Sequence, residues 1–153
     1  MFSQHQDKVD FEHANVSIQI NPDTREVIGE VVYDFKVLGK VDSVFLDAQN
    51  IDFSSIRLNN KKVSFNNNGQ TISIFKKFKK GKTYALTLEY KAKPKQTVYF
   101  VGYEDDIDGN EQIWTQGQGK YTSHWLPSFN DMTETHGISP SKVMMLSNPS
   151  EFY

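Results

Sequence analysis

Gln116 and Gln118 are the residues whose type and spacing best suit them to hold a ligand. They sit in the run Gln112-Ile113-Trp114-Thr115-Gln116-Gly117-Gln118-Gly119-Lys120-Tyr121, followed by His124-Trp125-Leu126-Pro127-Ser128-Phe129-Asn130-Asp131. Two residues apart on an extended chain means the same face, so two amide groups can meet one ligand side by side. Gly117 and Gly119 leave room for a close approach of backbone or ligand. An amide oxygen accepts a hydrogen bond from an ammonium group, though less strongly than a carboxylate does. Set against this, glutamine is ordinarily an exposed residue with no special task.

Other candidates are weaker. The histidines are His5, His13, His124 and His136, and no pair has the spacing that brings two imidazoles to one metal. Glu134 lies two residues before His136, which is too little for a zinc site. Glu104, Asp106, Asp108 and Gly109 echo the start of a calcium loop, but the twelfth position is Thr115 where a bidentate glutamate would close it. Ser128 has no nucleophile-elbow context. No catalytic residue and no metal ligand is therefore assigned in this chain. Lys76, Lys77, Lys79, Lys80 and Lys82 around Phe78 and Gly81 suggest a phosphate patch, or more plainly a solvated strand end protected against edge pairing. Trp114, Tyr121, Trp125 and Phe129 could form an aromatic binding surface. The alternation around Trp114 instead predicts that it packs into the core, and Trp125 beside Leu126-Pro127 suits a contact with a neighbouring domain.

These residues need a frame, and the chain is long enough for one. Its 153 residues, 37% hydrophobic and 24% charged, describe a single globular domain. Net charge is −2, which gives no overall argument for nucleic acid or an anionic membrane, and neither is expected as a partner. Cysteine is absent, so disulfides and thiolate chemistry are excluded. No stretch approaches the roughly 20 apolar residues that span a bilayer. The start, Met1-Phe2-Ser3-Gln4, has no apolar signal core, which favours the cytoplasm.

Period-two alternation dominates the first hundred residues. Val16, Ile18 and Ile20 alternate with polar neighbours; Val31, Tyr33, Phe35 and Val37 give the next apolar face, across a turn at Asn21-Pro22-Asp23-Thr24. Shorter strands are expected at 43–47, 51–58, 63–65 and 71–75, the last two joined through Asn66-Asn67-Asn68-Gly69. Tyr84, Leu86, Leu88 and Tyr90 form another alternating strand, and 98–102 and 112–115 complete the set. No helical stripe, repeat or linker interrupts it. The fold class is all-β, a single antiparallel β-sandwich spanning 1–135. Residues 136–153, with two prolines and no alternation, are expected to be an irregular tail, the mark of a truncated, frame-shifted or arbitrary end.

Trp114-Thr115-Gln116-Gly117-Gln118, with Trp125-Leu126-Pro127-Ser128-Phe129-Asn130-Asp131, resembles the end of the N-terminal domain of aminopeptidase N-type zinc metallopeptidases. This is the gluzincin family that includes leukotriene hydrolases. Phe45-Leu46-Asp47-Ala48 and the stretch from Gly81-Lys82-Thr83-Tyr84 to Lys93-Pro94 agree with it, so the likeness covers roughly 9–133. The resemblance implies a saddle-like β domain packed against a separate catalytic domain. It also implies that the loop at Thr115–Gln118 enters the catalytic cleft, where Gln116 and Gln118 bind a peptide's free α-amine and first side chain. The family often has glutamate where Gln118 stands, so the amine would meet a neutral amide here.

The family's H-E-x-x-H helix, downstream glutamate and G-x-M-E-N loop do not occur in these residues. Zinc, which polarises the scissile carbonyl in such enzymes, would belong to the absent catalytic domain, and this chain alone is expected to be inactive. The expected role is that of a substrate-anchoring domain of a zinc aminopeptidase. The alternatives are a free-standing β-sandwich module for carbohydrate or peptide, and a remnant without function.

Overall fold

The structure is a computed structural model that describes residues 8–103, 109–115, 119–128 and 140–146. Eleven strands are described: β1 Val9–Asn21, β2 Glu26–Val37, β3 Val41–Asp47, β4 Ile51–Leu58, β5 Lys61–Lys62, β6 Phe65–Asn67, β7 Thr71–Phe78, β8 Thr83–Ala92, β9 Val98–Val101, β10 Gln112–Thr115 and β11 Pro140–Leu146. They form a six-stranded sheet in the order β11-β1-β2-β8-β4-β5, a three-stranded sheet β3-β7-β6 and the hairpin β9-β10. The two larger sheets share one core, as the alternation predicts for a β-sandwich.

That core follows directly from the pleat. On β2, Val27, Val31, Tyr33, Phe35 and Val37 all point inward and are at most 2% exposed. Opposite them in the other sheet lie Val44, Leu46, Ile72 and Ile74, also buried. Aromatic rings join the layers at one end. Phe35 stacks on Tyr84 with centroids 5.6 Å apart, and Phe78 of β7 meets Tyr84 edge-on at 5.1 Å.

Turn chemistry sets the connections. Asn21 Oδ1 accepts the backbone N–H groups of Asp23 (3.0 Å) and Thr24 (3.2 Å), closing the β1–β2 turn. Asn68 Oδ1 does the same for Gln70 and Thr71 between β6 and β7, with Gly69 at φ +84°. Asn59 and Asn60, both at positive φ, make the two-residue hairpin from β4 to β5.

The structure departs from the sequence expectations in two places here. The strand expected at 63–65 is split, because the chain leaves the edge of the large sheet after Lys62 and joins the small sheet at Phe65. The tail expected to be irregular contains a strand. Pro140–Leu146 pairs in parallel with β1, from Ala14↔Pro140 to Gln19↔Leu146. The outer edge of β1 offers a row of backbone donors and acceptors, and pairing with it needs no side-chain alternation. Proline is tolerated at the first position of such an edge strand. The remainder, 136–139 and 147–153, lies outside the described residues.

Candidate functional site

Gln116 and Gln118 lie outside the described residues, while the elements before and after them are described. On the entering side, β10 pairs with β9, with Trp114 opposite Tyr99 and Ile113 opposite Phe100. Phe100 and Ile113 pack against the core and seat the hairpin on it. On the leaving side, Gly119–His124 forms a 3-10 turn, and the chain after it is bonded to the sandwich. The Gln49 N–H donates to the Ser123 carbonyl at 2.8 Å, and Asp47 and Ser128 exchange both backbone bonds at 2.8 and 3.0 Å. The Tyr33 hydroxyl, reaching up from the large sheet, donates to the Pro127 carbonyl. The elements on either side of residues 116–118 are thus both seated on the sandwich.

The aromatic residues divide differently from the sequence expectation. Trp114 is 48% exposed rather than buried, and stacks on Tyr99 with centroids 4.3 Å apart and planes at 24°. In a strand of four residues, alternation leaves the choice of face open. The apolar pair Phe100 and Ile113 takes the inner face, so Trp114 takes the outer one. Trp125 and Leu126 are partly buried against the core. Tyr121 lies within the 3-10 turn, and Phe129, Asn130 and Asp131 fall outside the described residues.

Burial dominates the electrostatics of the domain's tyrosines. The Tyr33 phenol is pushed well above its ordinary value by burial. Tyr90 is raised in the same way, with a smaller contribution from Tyr33 nearby. Tyr103, at the end of β9, is raised by partial burial and then by the carboxylates of Glu111 and Asp23. Sequence reasoning placed Tyr33 on the core face but missed its tie to Pro127. A tyrosine among Val and Phe was the available signal, because a buried hydroxyl calls for a partner.

Lys76, Lys77, Lys79, Lys80 and Lys82 are all exposed, which suits a phosphate patch and a solvated strand end alike. Glu104, Asp106 and Asp108 lie outside the described residues, as do His5, Glu134 and His136. Among the described residues, no group of three or more His, Cys, Asp or Glu side chains can hold a metal ion. Those residues therefore do not fit a zinc ion. A depression of about 430 Å³ lies on the outer face of the large sheet, lined in part by Ser17, Gln19, Glu30, Ser54 and Glu89. Its two carboxylates pair with Arg57, whose Nη2 stands 2.7 Å from Glu89 Oε1 and 3.9 Å from Glu30 Oε2.

The fold has close counterparts. The M1 zinc metallopeptidase from Deinococcus radiodurans superposes with a TM-score of 0.64 at 18% identity, over 80% of this chain and 29% of that one. A mutant form bound to a Tyr-Ser-Ala substrate gives 0.65 at 17% identity, over 82% and 30%. Yeast LTA4 hydrolase in complex with bestatin gives 0.70 at 16% identity, over 80% and 21%. This chain therefore spans less than a third of the length of each. No curated protein matches the sequence. The model of the peptidase M1 N-terminal domain matches residues 10–132, from the start of β1 to just beyond Ser128. By that match, the chain belongs to the M1 metallopeptidase N-terminal domain family.

Proposed function

We propose that this domain anchors the amino end of a peptide in a zinc aminopeptidase whose catalytic domain is a separate unit. The observation that supports the reading is that the described elements on either side of residues 116–118 are both seated on the sandwich, within the region of the family match. Gln116 and Gln118 would offer amide oxygens to the substrate's α-ammonium group and bound the space for its first side chain. Zinc and a general base would come from the catalytic unit and act on the scissile bond there. This chain's own part is to bind and orient, which raises the effective concentration of the peptide at the catalytic centre.

The test uses an aminoacyl-p-nitroanilide. The chain alone should show no zinc-dependent turnover. In the enzyme assembled with a catalytic domain, Gln116→Ala or Gln118→Ala should weaken capture about tenfold, on the scale of a lost hydrogen bond to a charged group. Unchanged kinetics in both variants would remove the assignment of the glutamines, and turnover by the isolated chain would remove the division of labour.

The exposed Trp114 face favours a second reading, a free-standing module that binds carbohydrate or peptide on an aromatic platform. Glycan or peptide binding by the isolated chain, abolished by Trp114→Ala, would support it. The packing of Trp125 against the core leaves that platform smaller than the sequence suggested.

A further inference from the structure

The β2–β3 and β7–β8 turns stand side by side at one end of the sandwich. The Val37 N–H donates to the Lys82 carbonyl at 2.9 Å, and the Gly81 N–H to the Val37 carbonyl at 2.7 Å. The Leu38 N–H donates to the Lys8 carbonyl at 2.7 Å. Three stretches far apart in sequence meet there, bringing together Lys8, Lys36, Lys40, Lys79, Lys80 and Lys82, every one exposed. Two aspartates accompany them: Asp10, opposite Lys36 in the β1–β2 register, and Asp42 at the irregularity early in β3. Among these lysines Leu38 is 45% exposed, although its neighbour Val37 is fully buried.

We propose that this tip docks on an anionic lipid bilayer surface. The lysine ammonium groups would meet headgroup phosphates and carboxylates, and Leu38 would enter the boundary with the acyl chains. The net charge of −2 does not oppose this, because a surface acts on the charges within about 10 Å of it at 0.1 M salt. A chain that is basic at one end and acidic elsewhere is also oriented by such a surface. Leu38 decides between anionic partners. Binding to a duplex phosphate backbone uses the lysines alone, whereas a bilayer uses the lysines together with an apolar side chain at the tip. None of the residues assigned to the substrate takes part, so the two proposals stand or fall separately.

Co-sedimentation with vesicles tests it. Vesicles of equal parts phosphatidylcholine and phosphatidylserine should bind the chain at low ionic strength, and vesicles of phosphatidylcholine alone should not. Each lysine contributes about fivefold to such partitioning. The combined variant Lys79→Gln, Lys80→Gln, Lys82→Gln should therefore bind about a hundredfold more weakly, with an unchanged circular dichroism spectrum. Leu38→Ser should weaken binding about fivefold without altering its salt dependence. Equal binding to both kinds of vesicle, or none by the triple variant's parent, would overturn the proposal. Binding of a DNA duplex as strong as that of the anionic vesicles, and indifferent to Leu38→Ser, would overturn it in favour of nucleic acid.

Discussion

The hydroxyl of Tyr33, in the middle of the large sheet, donates a hydrogen bond to the carbonyl oxygen of Pro127, 94 residues later in the chain. This bond crosses the domain interior and fastens the segment that follows the glutamine loop. Together with the Asp47–Ser128 pairing it attaches that segment to both sheets at once. The position of the 123–128 segment is therefore coupled to the stability of the core.

Removing the Tyr33 hydroxyl should be costly. Tyr33→Phe leaves the Pro127 carbonyl without this donor, and we expect a loss of about 1–3 kcal/mol in urea unfolding. Tyr90 is the control. Its hydroxyl is buried and has no hydrogen-bond partner among the described residues. Tyr90→Phe removes a desolvated polar atom and should be neutral or slightly stabilising. Equal losses in the two variants would show that the Tyr33–Pro127 bond contributes nothing of its own.

The same two residues set the response to alkali. Burial favours the neutral phenol at both positions, so both titrate above the ordinary tyrosine value of 10.0. Their contribution is complete below that value and falls as pH rises above it, since the unfolded chain releases the protons first. The expected loss is about 1.4 kcal/mol per tyrosine for each pH unit above 10. Stability measured from neutral pH upward should be flat with respect to these groups and then decline. Tyr90→Phe should make the decline shallower. An identical slope in the variant would contradict the assignment.

Gly29 sits directly opposite Tyr90 in the β2–β8 register, and the tyrosine ring lies over it. A Cβ at Gly29 would stand 2.4 Å from Tyr90 Cζ, inside contact distance. Gly29→Ala must displace a fully buried ring, and we expect a loss of about 1–3 kcal/mol. Combining it with Tyr90→Leu, which removes the rigid ring tip, should recover part of that loss. Simple additivity of the two changes would show that the ring is not the obstacle.

Much of the sandwich was legible because its signals are local. The alternation from Val31 to Val37 and the Asn68-Gly69 turn act through neighbouring residues, and the structure follows them. What was not legible depends on distant parts of the chain. The strand at Pro140–Leu146 exists because the β1 edge is open, which its own sequence cannot express. The gathering of Lys8, Lys36 and Lys40 around the β7–β8 turn needs hydrogen bonds between distant stretches that only the fold supplies. The substrate role proposed for Gln116 and Gln118 rests on family resemblance, since their spacing alone gives a face and no ligand.

Trp114 offers the sharpest local test, because sequence and structure give it opposite environments. It is 48% exposed and held by one stacking partner, while Trp125 packs partly buried against the core. The two should separate in fluorescence quenching, one fraction readily reached by iodide and the other protected. Trp114→Phe should leave a single protected emission at shorter wavelength. Its cost in stability should stay near the 0.5–1.5 kcal/mol of an aromatic pair, about a third of what a buried tryptophan would lose on truncation. Trp125→Phe should give the reverse spectrum, leaving only the accessible fraction. If Trp114→Phe instead removed the protected fraction, the β9–β10 hairpin would have to be turned over, and the outer aromatic face beside the glutamine loop would disappear with it.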